Sequence, residues 1–140
     1  MHATEEASKY GRMEKTSGCA VVCLQETKKP SFDLSFIKSC CPRRFDQFAF
    51  VPSRGASGGI ITIWNSTIFT ANVLLSEDFA LVTRFKSTQS AQYWTLVNVY
   101  GPCPWLCSLN IPSTEDWRFV GDFNFVRARD NRNKPGGSIN

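Results

Sequence analysis

The stretch Arg118-Phe119-Val120-Gly121-Asp122-Phe123-Asn124 decides how the rest of the chain is read. An apolar run of strand type ends in a glycine that lets the backbone turn sharply. A carboxylate and a carboxamide follow, two residues apart. If the extended geometry persists, Asp122 and Asn124 share one face while Phe123 turns back to the core. Such a pair at a strand end can accept a proton and donate a hydrogen bond to an anionic oxygen. It is therefore a candidate half of a catalytic site.

Working outward, strands dominate. Trp94 to Tyr100 alternates cleanly, with Trp94, Leu96, Asn98 and Tyr100 on one face and Thr95, Val97 and Val99 on the other. Leu81 to Lys86 sets Leu81 and Phe85 against Arg84 and Lys86, and in Phe69 to Leu75 the residues Phe69, Ala71, Val73 and Leu75 are expected to face one way. Ile60 to Trp64 and Cys19 to Leu24 are continuously apolar, as strands covered on both faces are. Phe45 to Pro52 reads as a further strand, and Arg54 to Gly59 as a turn. Ser31 or Asp33 caps a short helix through Leu34 and Ile37 that Pro42 ends. Thr4 to Thr16 tolerates a helix but carries only the apolar pair Tyr10 and Met13. Polar residues gather at strand ends, where layered sheets build their sites: Glu26, Ser57 with Gly58 and Gly59, Asn98 with Tyr100, and Asp122 with Asn124.

Bulk properties narrow the classes. At 140 residues the chain makes one domain at most, and its 42% hydrophobic content excludes wholesale disorder. The formal charge of +4 permits an anionic partner without demanding one. No apolar run reaches membrane-spanning length, and the first seventeen residues lack a signal-peptide core, so an intracellular, non-secreted protein is expected, in nucleus or cytoplasm. Six cysteines are present without a C-x-x-C pair, and the single histidine is His2, which argues against zinc.

Together, Leu24-Gln25-Glu26-Thr27, Ser57-Gly58-Gly59, Asn98-Val99-Tyr100-Gly101-Pro102 and Gly121-Asp122-Phe123-Asn124 resemble the endonuclease/exonuclease/phosphatase superfamily, in motif order and in strand-end placement. With Asp130-Asn131-Arg132-Asn133-Lys134-Pro135-Gly136-Gly137 behind them, they look most like the endonuclease domain of plant LINE-type non-LTR retrotransposons. The resemblance covers residues 18–140 and leaves 1–17 unmatched. It implies an α/β (α+β) fold, a strand-rich and incomplete four-layer sandwich. It implies metal-dependent hydrolysis of DNA phosphodiesters. Glu26 would ligate Mg²⁺ or Mn²⁺, Tyr100 would position the phosphate, Asp122 would activate water and Asn124 would contact phosphate or nucleophile. Ser57, Gly58, Gly59 and Asn98 would contact the phosphate or shape the adjacent loop.

Departures from the family pattern qualify these expectations. No active-site Asn precedes the first strand, the Ser-Asp-His element has no counterpart, and the stretch between Tyr100 and Asp122 is short for the family. A truncated, catalytically impaired fragment is therefore expected, with weak or no metal binding. The alternatives are a non-catalytic nucleic-acid-binding remnant and a non-functional product of a degraded element. DNA is the expected partner, and protein partners are unknown.

Overall fold

β-branched and aromatic runs punctuated by Gly, Pro and Asn turns make the chain strand-rich. The computed structural model describes residues 19–101 and 108–121. In chain order these form β1 (Val21–Gln25), α1 (Leu34–Cys40), β2 (Gln47–Val51), β3 (Ile60–Trp64), β4 (Phe69–Glu77), β5 (Ala80–Ser87), β6 (Tyr93–Val99) and β7 (Trp117–Gly121). The helix-tolerant segment Thr4 to Thr16 and the segment Asp130 to Gly137 lie outside the described residues.

The strands form two sheets, ordered β1-β3-β2 and β4-β5-β6-β7. All pairings are antiparallel except β6 with β7, which is parallel. All five residues of β3 are buried because it is the middle strand of its sheet and is covered on both faces. On one face, Ile61 and Ile63 join Val22, Leu24, Phe45 and Ile37, the buried residue of α1. The helix is only seven residues long and depends on its ends: the Asp33 carboxylate accepts from the Phe36 amide at 2.9 Å. A cap of this kind contributes about 1 kcal/mol.

On its other face β3 packs on the second sheet through an apolar contact of Ile60 with Val51 and Leu81 and through two further zones. One is aromatic: Phe85 lies 4.8 Å from Trp94, 5.4 Å from Trp64 and 5.5 Å from Phe69, centroid to centroid. The other is polar. Asn98 is fully buried there, and its Nδ2 donates to the Ile61 carbonyl and to Thr62 Oγ1, both at 3.0 Å. Its Oδ1 accepts from Gln25 Nε2 at 2.7 Å, so one amide ties β6 to both β1 and β3. The far face of the second sheet is apolar too, with Ala80, Val82, Val97 and Val99 buried there beside Leu75 and Trp117.

The described residues thus give a strand-rich α+β arrangement of one helix and two sheets, three layers beside the incomplete four-layer sandwich that the resemblance implies. The cleanly alternating reading of β4 is corrected. A bulge between Val73 and Leu75 inserts Leu74, and the register against β5 shifts there. Val73 keeps the face of Phe69 and Ala71, opposite Thr83, though it is 48% exposed, while Leu75, which the alternation put on that face too, packs on the far face with Val82.

Removing the Asn98 amide leaves buried partners unsatisfied and opens a small cavity. Asn98→Ala is expected to cost about 2–4 kcal/mol, seen as a lower urea midpoint with an unchanged slope. Cys23 supplies a second expectation. Burial pushes its thiol up to about 12, against a smaller opposing effect of the Thr62 side chain. Between the ordinary thiol value and 12 the unfolded chain has released a proton that the folded chain keeps. Stability should therefore fall as pH rises through that window. Cys23→Ala should flatten this fall in pH-dependent urea titrations.

Candidate active-site edge

β1, β6 and β7 all run toward the same edge of the sandwich, and antiparallel β3 starts from it. The registers fix this within each sheet, where Gln25 pairs with Ile60, Asn98 with Val120 and Val99 with Gly121, and the Gln25–Asn98 bond brings the two sets of strand ends together. The turn between β4 and β5 lies at that edge as well, since Ala80 pairs with Val99. The segments carrying Glu26, Gly58 and Gly59, Tyr100, and the approach to Asp122 therefore leave the sheets side by side.

Local backbone geometry at this edge is unusual. Glu26 and Lys28 have φ of 54° and 58°, in the left-handed region that non-glycine residues rarely occupy. Each such residue costs of order 1–3 kcal/mol and needs surrounding structure to hold it. The hold comes from the double glycine. The Thr27 amide donates to the Gly59 carbonyl at 3.1 Å, and the Lys28 amide to the Gly58 carbonyl at 2.8 Å. These bonds extend the β1–β3 pairing past Gln25. Gly59, at φ 97°, has no room for a side chain, because a Cβ would overlap the Thr27 hydroxyl. Thr27 is itself buried, and its hydroxyl accepts from the Lys29 amide at 3.4 Å. Thr27 and Gln25 are two positioning residues that the sequence reading quoted within the Leu24-Gln25-Glu26-Thr27 motif but gave no role. The alternation of β1 held the signal for Gln25, which follows Val21 and Cys23 on the face toward the second sheet.

Ser57 is at the tip of the β2–β3 hairpin, where its amide and hydroxyl both donate to the Arg54 carbonyl, at 3.1 and 3.3 Å. It is exposed and shapes the turn. Arg54 reaches Asp78 of the neighbouring turn at 3.0 Å, an exposed pair. Tyr100 follows β6. Its amide donates to the Phe79 carbonyl at 2.9 Å, and its half-buried ring packs beside Val51, Ile60 and Leu81. Asn98 sits one turn of the pleat deeper. Both of its Nδ2 hydrogens are committed inside the protein, so the geometry gives it a bridging role between the sheets. Gly121 has φ 125°, and a Cβ there would overlap the Val99 carbonyl. The glycine that opens the Gly-Asp-x-Asn motif is thus required by the close parallel pairing of β6 and β7. Asp122 and Asn124 lie outside the described residues.

A cavity of about 570 Å³ is found at the opposite end of β6, lined by Arg84, Tyr93, Trp94, Thr95, Glu115 and Asp116. Its polar groups pair with one another: Arg84 with Glu115 at 3.7 Å and with Thr95 Oγ1 at 3.3 Å, and Trp117 Nε1 with Glu115 at 2.9 Å. No group of three or more His, Cys, Asp or Glu side chains gathers as a metal cluster among the described residues. No helix among them is long and apolar enough to cross a membrane.

Comparison with known proteins gives a likeness among solved structures. No protein-family model matches the chain, and no curated protein matches it. Among solved structures, the crystal structure of the AP endonuclease LMAP from Leishmania major superposes with a TM-score of 0.59 at 20% sequence identity. The match covers 86% of this chain and 50% of that one, so the chain spans half the length of that endonuclease. The two share a fold.

Gly121→Ala should cost on the order of 2–4 kcal/mol, because the methyl meets backbone that cannot move aside. Gly55→Ala is the control: it too has positive φ, but nothing lies within 4 Å, so about 1–2 kcal/mol is expected. Amide hydrogen exchange across Val97 to Val99 should quicken in the first variant and not in the second.

Proposed function

We propose that this chain is part of a metal-dependent endonuclease domain that hydrolyses DNA phosphodiesters, derived from a plant LINE-type retrotransposon and catalytically impaired in this form. The observation that supports it is the convergence of the Glu26, Gly58-Gly59, Tyr100 and Gly121 segments on one sheet edge, in a fold shared with an AP endonuclease.

Glu26 is the proposed metal ligand. It has no salt bridge among the described residues, and a single carboxylate suits Mg²⁺, which keeps several waters and binds few protein groups. Bound there, Mg²⁺ or Mn²⁺ would offset charge developing on the phosphate. Tyr100 would hold a phosphate oxygen, Asp122 would take the proton of the attacking water, and Asn124 would donate to the phosphate. The basic segment from Arg127 to Lys134 would follow the DNA backbone. Within these 140 residues the single histidine is His2, and the impaired reading supposes that no other group takes the place of a histidine general acid/base. Loss of one such group costs about 10²–10⁴-fold.

Supercoiled plasmid nicking with Mg²⁺ checks this reading. Slow nicking is expected, abolished by EDTA and reduced at least ~10-fold in Glu26→Gln and Asp122→Ala, the order expected for a lost metal or base contact. Equal nicking by the parent chain and Asp122→Ala would defeat it. DNA binding that weakens steeply with salt, without any nicking, would favour the non-catalytic remnant instead.

A further inference from the structure

Adjacent side chains on a regular helix diverge by about 100°, so neighbouring cysteines do not ordinarily meet. The end of α1 is an exception. Cys40 is its last residue, and Cys41 leaves the helix in an extended conformation, φ −119° and ψ 154°. The change of direction brings the two Sγ atoms to 3.8 Å. Cys40 is half-buried, its Sγ 3.2 Å from the Phe36 carbonyl. Cys41 is buried in the cluster that holds Ile37 and Phe45.

The spacing selects a chemistry. Consecutive Cα atoms stand about 3.8 Å apart, short of the roughly 4.4–6.8 Å of ordinary disulfides, so a direct S–S bond between these neighbours is strained. One inserted atom removes the mismatch: two thiolates at about 2.3 Å from one centre stand roughly 3.3–3.8 Å apart as the angle between them opens from pyramidal to tetrahedral, within a small side-chain adjustment of the observed 3.8 Å. No third His, Cys, Asp or Glu joins the pair among the described residues. It suits a soft centre that brings its own remaining substituent.

We propose that Cys40 and Cys41 form a dithiol site that captures monosubstituted trivalent arsenic. Cys40 is the entry point. The Cys41 hydrogen bond, which outweighs partial burial, lowers its pKa from the ordinary value and favours the nucleophilic thiolate. The sulfur of Cys41 then closes the ring. Two As–S bonds form, the As–O bonding of the reagent breaks, and the oxygen leaves as water with both thiol protons. No oxidation state changes.

The test uses the full chain and phenylarsine oxide, read by intact-mass spectrometry in the presence of excess glutathione. One glutathione-resistant equivalent is expected, removed by a small dithiol such as dimercaptopropanol. Cys40→Ser and Cys41→Ser should each weaken capture by at least ~100-fold, the loss of one of two chelating bonds. Paired serine substitutions at Cys19 and Cys23, and at Cys103 and Cys107, should leave it intact. A resistant adduct that persists in both Cys40→Ser and Cys41→Ser, or none on the parent chain, overturns the proposal. Because Cys40 is half-buried, Cys40→Ser with an unchanged far-UV spectrum keeps the test decisive if Cys41→Ser fails to fold.

Discussion

The side-chain amide of Asn98 holds the two sheets in their working alignment. It is fully buried, donates twice to β3 and accepts once from Gln25 of β1. Apolar packing alone tolerates sliding, because the hydrophobic effect has no direction. Three directed bonds from one amide do not. They fix how far β6 extends past β1, and so where Tyr100 stands relative to Glu26. A polar group buried this deeply is stabilising only while it is satisfied, which makes the sheet alignment close to all-or-none.

Around that strut the edge is built from backbone conformations that regular strands avoid. Glu26 and Lys28 are left-handed, and Gly59, Gly101 and Gly121 have φ of 97°, 82° and 125°. Gly101 also lies where a Cβ would stand 3.1 Å from the Phe79 ring. The strain is offset by neighbouring order: the amides of Thr27 and Lys28 are tied to the double glycine, and Tyr100 to Phe79. The opposite end of the sandwich is held differently, by the aromatic group around Phe85 and by ordinary side-chain pairing. One end is packed for stability and the other is shaped against local preference. That is the division expected when a rigid scaffold carries a site on its strand ends.

The likeness to an AP endonuclease at 20% identity rests on this scaffold. Sequence can drift that far while a sheet survives, because a strand needs only its alternation and its turns. The fixed points are fewer. Gly59 and Gly121 are held by contact with Thr27 and with the Val99 carbonyl, where no side chain fits. The motif glycines are thus explained by packing alone, whatever chemistry the edge performs.

By itself the sequence determined the strands, the short helix and the strand-end motifs. These depend on local physics: alternation in Trp94 to Tyr100, the Asp33 cap, the Gly-rich turn after Arg54. Tertiary structure decided three matters that no local pattern carries. It divided the strands between two sheets, since pairing is chosen over long separations. It placed Leu74 in a bulge, because the twist and register of β5 set where β4 must bend. It turned Asn98 inward to bridge Ile61, Thr62 and Gln25, a role that alternation could locate on a face but could not partner. Hydrogen-bond partners 36 to 73 residues apart become visible only when the sheets are stacked.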